Sequence, residues 1–300
     1  MITGGSGQLG RALKRHRWPD GVKIVAPWRG ELDLADADAV SGYLLATGAK
    51  AVINAAAYTA VDKAEDAPAA AFHANALVPA ALAEAALSAE AALVHVSTDY
   101  VFDGTLGRPY EVADTVAPAN VYGASKAAGE LAVRAAQPRS AVVRTSWLLG
   151  PDGPNFARTM LRLAEERDEV AVVADQRGRP TLADDLAGAL AAIALRMIED
   201  RAAPTGVFHA TNAGEATWAE LAAAAFSESA RLGGPTAAVR PIATADYPTP
   251  ARRPPDSRLS TGRLKREHGL DLPDWRDGLP QLVAALLGGA PLNGGPAKTI

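Results

Sequence analysis

Gly4-Gly5-Ser6-Gly7-Gln8-Leu9-Gly10 is the stretch on which the fold turns. It follows a stub of apolar chain, Met1-Ile2-Thr3, and runs into a helical pattern with Leu9 and Leu13 on one face. Glycines at positions 4, 7 and 10 let the backbone turn tightly and approach a pyrophosphate. The helix start adds unpaired N–H groups and a partial positive charge. A strand–glycine loop–helix unit therefore predicts dinucleotide binding, against the plainer alternative of a βα turn without a ligand.

Outward from the loop, short apolar runs alternate with Ala/Leu-rich helical stretches, the pattern of βαβ units on a parallel sheet. Strands are predicted at Val22–Ala26, Ala51–Ala55, Leu93–Ser97 and Ala141–Thr145. Helices are predicted from near Gly10, after Asp36 as N-cap, from Pro68 to about Leu87, and over Tyr122–Ala136. After Trp147 the rhythm changes. A Gly/Pro loop leads to a helix over Phe156–Glu166, a strand over Val170–Ala174 and a returning helix over Leu182–Asp200. Beyond these lie a strand at Val207–Ala210, a helix over Trp218–Arg231 and a Pro/Arg-rich loop over Tyr247–Pro255. The expected class is α/β, a Rossmann-type doubly wound parallel sheet with a smaller mixed C-terminal substrate domain. Residues 1–150 and the helix at about 182–205 form the nucleotide-binding part. Residues at about 151–181 and 206–288 form the substrate part, and 289–300 a flexible tail. The first strand is short for a central one, which suggests a natural start upstream of Met1 or a clipped strand.

Composition narrows the classes. The 300 residues are 48% hydrophobic and 21% charged, with net charge −4, so no basic surface invites nucleic acid or an anionic membrane. The chain has no cysteine, which excludes disulfides and thiolate metal sites. The apolar stretches Ala71–Leu87 and Leu186–Ile198 are Ala-rich and read as core helices. A cytoplasmic location is the expectation.

Two further motifs carry chemistry. Tyr122-Gly123-Ala124-Ser125-Lys126 places a phenol and an ammonium at i, i+4 on one helix face. An ammonium beside a phenol is expected to lower its pKa and fit it to protonate a developing alkoxide. The alternative is a plain surface contact. Val94-His95-Val96-Ser97-Thr98-Asp99-Tyr100 delivers Thr98 and Asp99 at a strand end, where open α/β sheets build their sites. Otherwise these two residues only close a loop. The second strand ends Ala26-Pro27-Trp28-Arg29 with no carboxylate before Glu31, so Arg29 favours NADPH over NADH, although NADH stays open. Asp33 and Leu34 are placed to border an adenine.

These pieces in this order resemble the extended short-chain dehydrogenase/reductases, and more finely the dTDP-4-dehydrorhamnose reductase family. The resemblance spans almost the whole chain. It is carried by Asn54 to Glu65 (NAAAYTAVDKAE), Ser97 to Gly104 (STDYVFDG), Val121 to Lys126 (VYGASK), Arg144 to Trp147 (RTSW), Asn155-Phe156 and Tyr247 to Pro254 (YPTPARRP). It implies NADPH-dependent reduction of the C4 keto group of dTDP-4-dehydro-L-rhamnose. Residue by residue, it implies that Gly7, Gln8 and Leu9 line the cofactor phosphates and that Ala56, Ala57 and Tyr58 pass beneath the cofactor. Tyr122 becomes the proton donor, Lys126 the ribose ligand that tunes it, and Thr98 the group that adjusts the acid. Thr98, Asp99 and Trp147 would touch the sugar, with Thr59 and Val61 nearby and Asn155 at the phosphates. Arg252 and Arg253 suit either a diphosphate or a subunit contact. Family members are described as magnesium-dependent dimers, so a homodimer and Mg2+ stay open, while no carboxylate cluster in the chain itself asks for metal. The chain departs from many relatives at Leu148-Leu149-Gly150, where an aromatic residue is common. A 4,6-dehydratase would need a carboxylate where Tyr100 stands. A nucleotide-sugar 4-epimerase and a non-catalytic NADP-binding regulatory subunit remain as rivals.

Overall fold

The computed structural model describes residues 1–288, so the expected tail at 289–300 lies outside the described residues. Four strands follow one another in the sheet: β1 (Ile2–Thr3), β2 (Ala51–Asn54), β3 (Ala92–Thr98) and β4 (Ser140–Thr145), with Gly206–His209 as the fifth. All four pairings are parallel, with Ile53 opposite Val94 and Val94 opposite Ala141. Side chains alternate between two apolar layers, as a sheet covered on both faces requires. Ile53, Val94, Val143 and Phe208 meet helix Ala183–Glu199 on one side. Val52, Leu93, Val142 and Val207 meet Leu44, Leu82 and Val133 on the other. A third core, around Leu161, Val172, Leu221, Phe226 and Trp275, holds the C-terminal region together.

The expected strand at Val22–Ala26 does not form. A single backbone bond, Ile2 N–H to Val25 O at 2.8 Å, reaches it from β1. With only two residues in β1, the ladder is too short to organise a neighbour. Elsewhere the expected strands stand within a residue of their predicted limits. The C-terminal region holds more order than expected, adding the strand Ala238–Ile242 and the helices Gly262–His268 and Trp275–Gly288. Helix Val61–Asp66 was also not foreseen.

The glycine loop explains itself sterically. Gly4 has φ +67°, and a Cβ there would stand 2.7 Å from the Ala55–Ala56 peptide at the end of β2. At Gly10 a Cβ would fall 2.1 Å from Gly4 O, so the first helical turn can close on the loop only without a side chain. The helix that follows, Gln8–Arg15, buries Leu9, Ala12 and Leu13, and its last turn carries Lys14 and Arg15 where the helix dipole favours cations.

The run Pro68–Ser88 is long and apolar enough, by length and composition, to cross a membrane. In the fold it is a helix interrupted by a π-turn at His73–Leu77, and it packs along the helix Val121–Ala136. The π-turn brings a buried polar residue, Asn75, to the edge of the site described next.

Candidate active site

The C-terminal ends of β1, β2 and β3 lie side by side along one edge of the parallel sheet. At the β1 end, Gly7 caps the following helix in an extended conformation without a side-chain cap, and no acidic residue occupies the first turn. Those helix N–H groups and the bare Gly4 surface fit a dinucleotide phosphate. Gln8 spans from the loop to the far wall, donating to Leu148 O at 3.1 Å and accepting from Asn155 Nδ2 at 3.0 Å. At the β2 end, Asn54 Oδ1 accepts from Thr3 Oγ1 and from Ala56 N–H, which fixes the start of the Ala56-Ala57-Tyr58 segment. Tyr58 is then gripped by Asn75, whose amide accepts from Tyr58 N–H at 2.8 Å and donates to Tyr58 O at 3.0 Å.

At the β3 end, Thr98 Oγ1 donates to Asp99 Oδ1 at 2.9 Å and accepts from Tyr100 N–H at 3.2 Å, and its hydroxyl favours the ionised form of the Tyr122 phenol. The Tyr122 ring also takes the edge of Tyr100, with centroids 5.8 Å apart and planes at 77°. Lys126, one helical turn on, is buried and donates to Val96 O at 2.6 Å. Burial pushes the ammonium down to about 8, with Glu130 pulling it back up. The phenol of Tyr122 is pushed up to about 12 by burial and by the charge of Asp99, against the Thr98 hydrogen bond. This corrects the expectation that the Tyr122–Lys126 spacing lowers the phenol. Both side chains share a helix face, but the ammonium is spent on a β3 carbonyl, so burial dominates the phenol.

Asp99 is 2% exposed and no well-formed hydrogen bond reaches its Oδ2. Burial raises its carboxyl to about 6, while the hydroxyls of Ser257 and Thr98 pull it down. Between the ordinary value of 3.8 and about 6, the folded chain holds this proton more tightly than the unfolded chain, so Asp99 makes stability fall as pH rises through that window. In Asp99→Asn that slope is absent. Unfolding free energies of the two proteins, measured by denaturant titration from pH 4 to 6.5, should diverge by up to about 3 kcal/mol in favour of the variant at the upper end. Parallel curves would show that the carboxyl ionises normally.

Other expected residues stand as follows. Trp147 holds φ +47°, a left-handed conformation that is strained for a bulky residue. Its indole stacks on Trp218 at 3.5 Å between centroids and 7° between planes, and a Cβ at Gly178 would stand 2.3 Å from it. Thr59 is exposed and Val61 half-buried at the head of helix Val61–Asp66. Arg29 and Asp33 are exposed, Asp33 accepting from Ala35 N–H, and Leu34 packs on the Leu44 layer. Asn155 is engaged throughout: Oδ1 caps helix Phe156–Ala164 at Arg158 N–H, and Nδ2 serves Gln8 and Gly150 O. Arg253 is not free for a diphosphate either, because it forks onto Asp62 at 3.0 and 2.9 Å. Arg252 is exposed. His95 is fully buried against Asn54 Nδ2 at 3.0 Å, and burial holds it neutral, well below its ordinary value. Among the described residues, no three His, Asp or Glu stand together as a metal site.

Sequence reasoning missed Asn75, Glu130, Trp218, Ser257 and the Asp62–Arg253 pair. Asn75 had a visible signal, a polar residue interrupting an Ala-rich helix. The others touch partners far away in the chain, and no local pattern announces them.

A glycine-lined helix start facing a tyrosine, threonine and lysine across the ends of a parallel sheet defines an NAD(P)-linked oxidoreductase of the extended short-chain dehydrogenase/reductase type. The family match is specific: residues 1–287 fit the RmlD substrate binding domain, and the chain belongs to that family. It is 45% identical over 287 residues to a dTDP-4-dehydrorhamnose reductase of Sinorhizobium fredii, covering 95% of this chain and 97% of the relative. A crystal structure of a dTDP-4-dehydrorhamnose reductase from Clostridium acetobutylicum superposes with TM-score 0.87 at 37% identity, covering 95% of this chain and 98% of the other. The enzyme of that name from Bacillus anthracis, solved in complex with NADP, gives TM-score 0.87 at 35% identity over 94% and 97%.

Proposed function

We propose that the chain is an NADPH-dependent dTDP-4-dehydrorhamnose reductase, converting the C4 keto group of dTDP-4-dehydro-L-rhamnose to an alcohol in nucleotide-sugar biosynthesis in the cytoplasm. The observation that carries this reading is the placing of Tyr122 and Lys126 at the end of β3, the phenol ring 5.8 Å from that of Tyr100 and the ammonium 2.6 Å from Val96 O, in the same parallel sheet whose first strand leads into the glycine loop. The reduced nicotinamide, when bound, supplies the hydride. Tyr122 donates its proton to the oxygen formed, and a phenol held at about 12 enters the reaction fully protonated at neutral pH. Thr98 lies beside the phenol, favours its ionised form and keeps its own hydroxyl donated to Asp99 Oδ1. Lys126, whose ammonium lies on Val96 O, would hold the ribose of a bound cofactor, and its charge limits the cost of the phenolate left behind. Trp147 and Asp99 wall the sugar.

Mixing the purified chain with NADPH and the keto-sugar nucleotide tests the assignment. The expected result is loss of nicotinamide absorbance in one-to-one proportion to alcohol formed. A 4-epimerase would give product with no net NADPH loss, and a regulatory subunit neither; either outcome ends the reading.

A further inference from the structure

The helix that carries Tyr122 does not set its own start. Its first turn exposes N–H groups that need partners from outside the helix. Val121 N–H donates to Glu65 Oε1 at 2.9 Å, and Gly123 N–H donates to Asn120 Oδ1 at 2.8 Å. The same Asn120 donates through Nδ2 to Arg252 O at 2.8 Å, so the cap is tied to a loop 132 positions away. That loop is anchored in turn. Arg253 grips Asp62 with both ends of its fork, at 3.0 and 2.9 Å, and Asp62 Oδ1 also accepts from Ala251 N–H at 3.2 Å. Asp62 and Glu65 lie on the same short helix, Val61–Asp66. The ring closes: helix 61–66, the loop at 251–253 and the Tyr122 helix hold one another.

A second route leads to the same phenol. The Arg253 charge acts on the Tyr100 phenol, and the Tyr100 ring makes a T-shaped contact with that of Tyr122. At Gly123 a Cβ would stand 2.0 Å from Tyr100 O, so the helix start and the Tyr100 turn are in close backbone contact. A small tilt of the helix start would move the phenol relative to Thr98 and to any reacting carbonyl.

We propose that Arg253, Asp62 and Asn120 form a clamp through which the C-terminal region positions Tyr122 for proton donation, making Arg253 and Asp62 positioning residues rather than diphosphate ligands. The clamp rests on the proton-donor role given to Tyr122 under the proposed function. Arginine is suited to the task because its planar fork fixes direction as well as charge, which lysine cannot do. Both partners are partly buried, at 14% and 30% side-chain exposure, so the pair is shielded more than a surface pair.

The test uses Arg253→Lys, Asp62→Asn and the exchange Asp62→Arg/Arg253→Asp in the full chain. Arg253→Lys and Asp62→Asn should lower kcat about 10- to 100-fold, the scale set by misplacing a catalytic group by an ångström. KM for NADPH should change less than about twofold, since the glycine loop is untouched. The exchange should recover about tenfold of the loss by restoring the opposite charges. Independently of activity, amide exchange at Gly123 and Ala124 should quicken about tenfold or more in the single variants while β3 amides stay protected. A merely structural pair would lower the unfolding temperature with kcat and the Gly123 amide unchanged, and that result overturns the clamp. If Arg253→Lys or Asp62→Asn fails to fold, the exchange variant alone decides through the same amides. An inactive wild-type chain would overturn the reductase reading instead, leaving the amide result to decide whether the clamp holds the helix.

Discussion

Tyr122→Phe is expected to lower kcat by about 10³- to 10⁴-fold, the upper part of the range for removing a general acid. The substitution deletes one oxygen and leaves the ring, so the 5.8 Å edge contact with Tyr100 and the helix packing survive. Cofactor binding should persist because Gly4, Gly7 and the uncapped helix start lie at another strand end, and Lys126 is retained. What disappears is the proton donor together with the phenol's interaction with Thr98. The measurement is a pair: single-turnover NADPH oxidation, and NADPH affinity by fluorescence titration. Loss of the first with the second changed less than about threefold fits a chemical role. If Tyr122→Phe turns over within tenfold of the parent, another group delivers the proton and the assignment of this tyrosine is wrong.

The fold was legible because a doubly wound sheet writes itself in local signals: apolar runs of strand length, Ala-rich helices between them, and glycines where backbone approaches backbone. Gly4 and Gly10 are the clearest case, since each marks a contact that a Cβ would block. Val22–Ala26 failed for a reason that lies elsewhere in the chain. Its apolar pattern is that of a strand, but strand formation depends on a partner, and β1 offers only two residues. The C-terminal helices escaped because Gly262–His268 is short and charged, and Trp275–Gly288 contains Pro280, both poor advertisements for a helix.

The site was legible to the same depth. Tyr122, Lys126 and Thr98 announce themselves by spacing and by position after a strand, and the structure brings them to one strand end. Direction was not legible. Nothing in Tyr-x-x-x-Lys says that the ammonium turns to Val96 O, because that carbonyl belongs to β3 and is met only in the folded chain. The shift of the phenol to about 12 follows from that choice, from burial and from the charge of Asp99 at the end of β3.

Glu130 carries the second large expectation, and it is one of stability. It sits one turn beyond Lys126 on the same helix and is 3% exposed. Its carboxylate receives Arg144 Nε at 2.8 Å, Arg144 Nη2 at 2.6 Å and Ser97 Oγ at 2.5 Å. Arg144, also 3% exposed, lies 5.0 Å over the Phe102 ring and, among the described residues, has no other carboxylate within ion-pair reach. Glu130→Ala therefore leaves a buried guanidinium without its counter-charge, and such losses cost about 3–5 kcal/mol. For a chain of this size that is a fall of roughly 10 °C in the unfolding midpoint. The carboxylate also raises Lys126, so its removal should drive that ammonium further below about 8 and make activity fall away at lower pH than in the parent. Replacing both partners, Glu130→Met with Arg144→Met, should recover much of the stability because no charge is then stranded, without restoring the pH profile. Calorimetry on the single and double variants decides the matter. A single variant that loses less than about 1 kcal/mol would mean that water or Ser97 satisfies Arg144 without Glu130, and the pair would then be incidental to the stability of the catalytic helix.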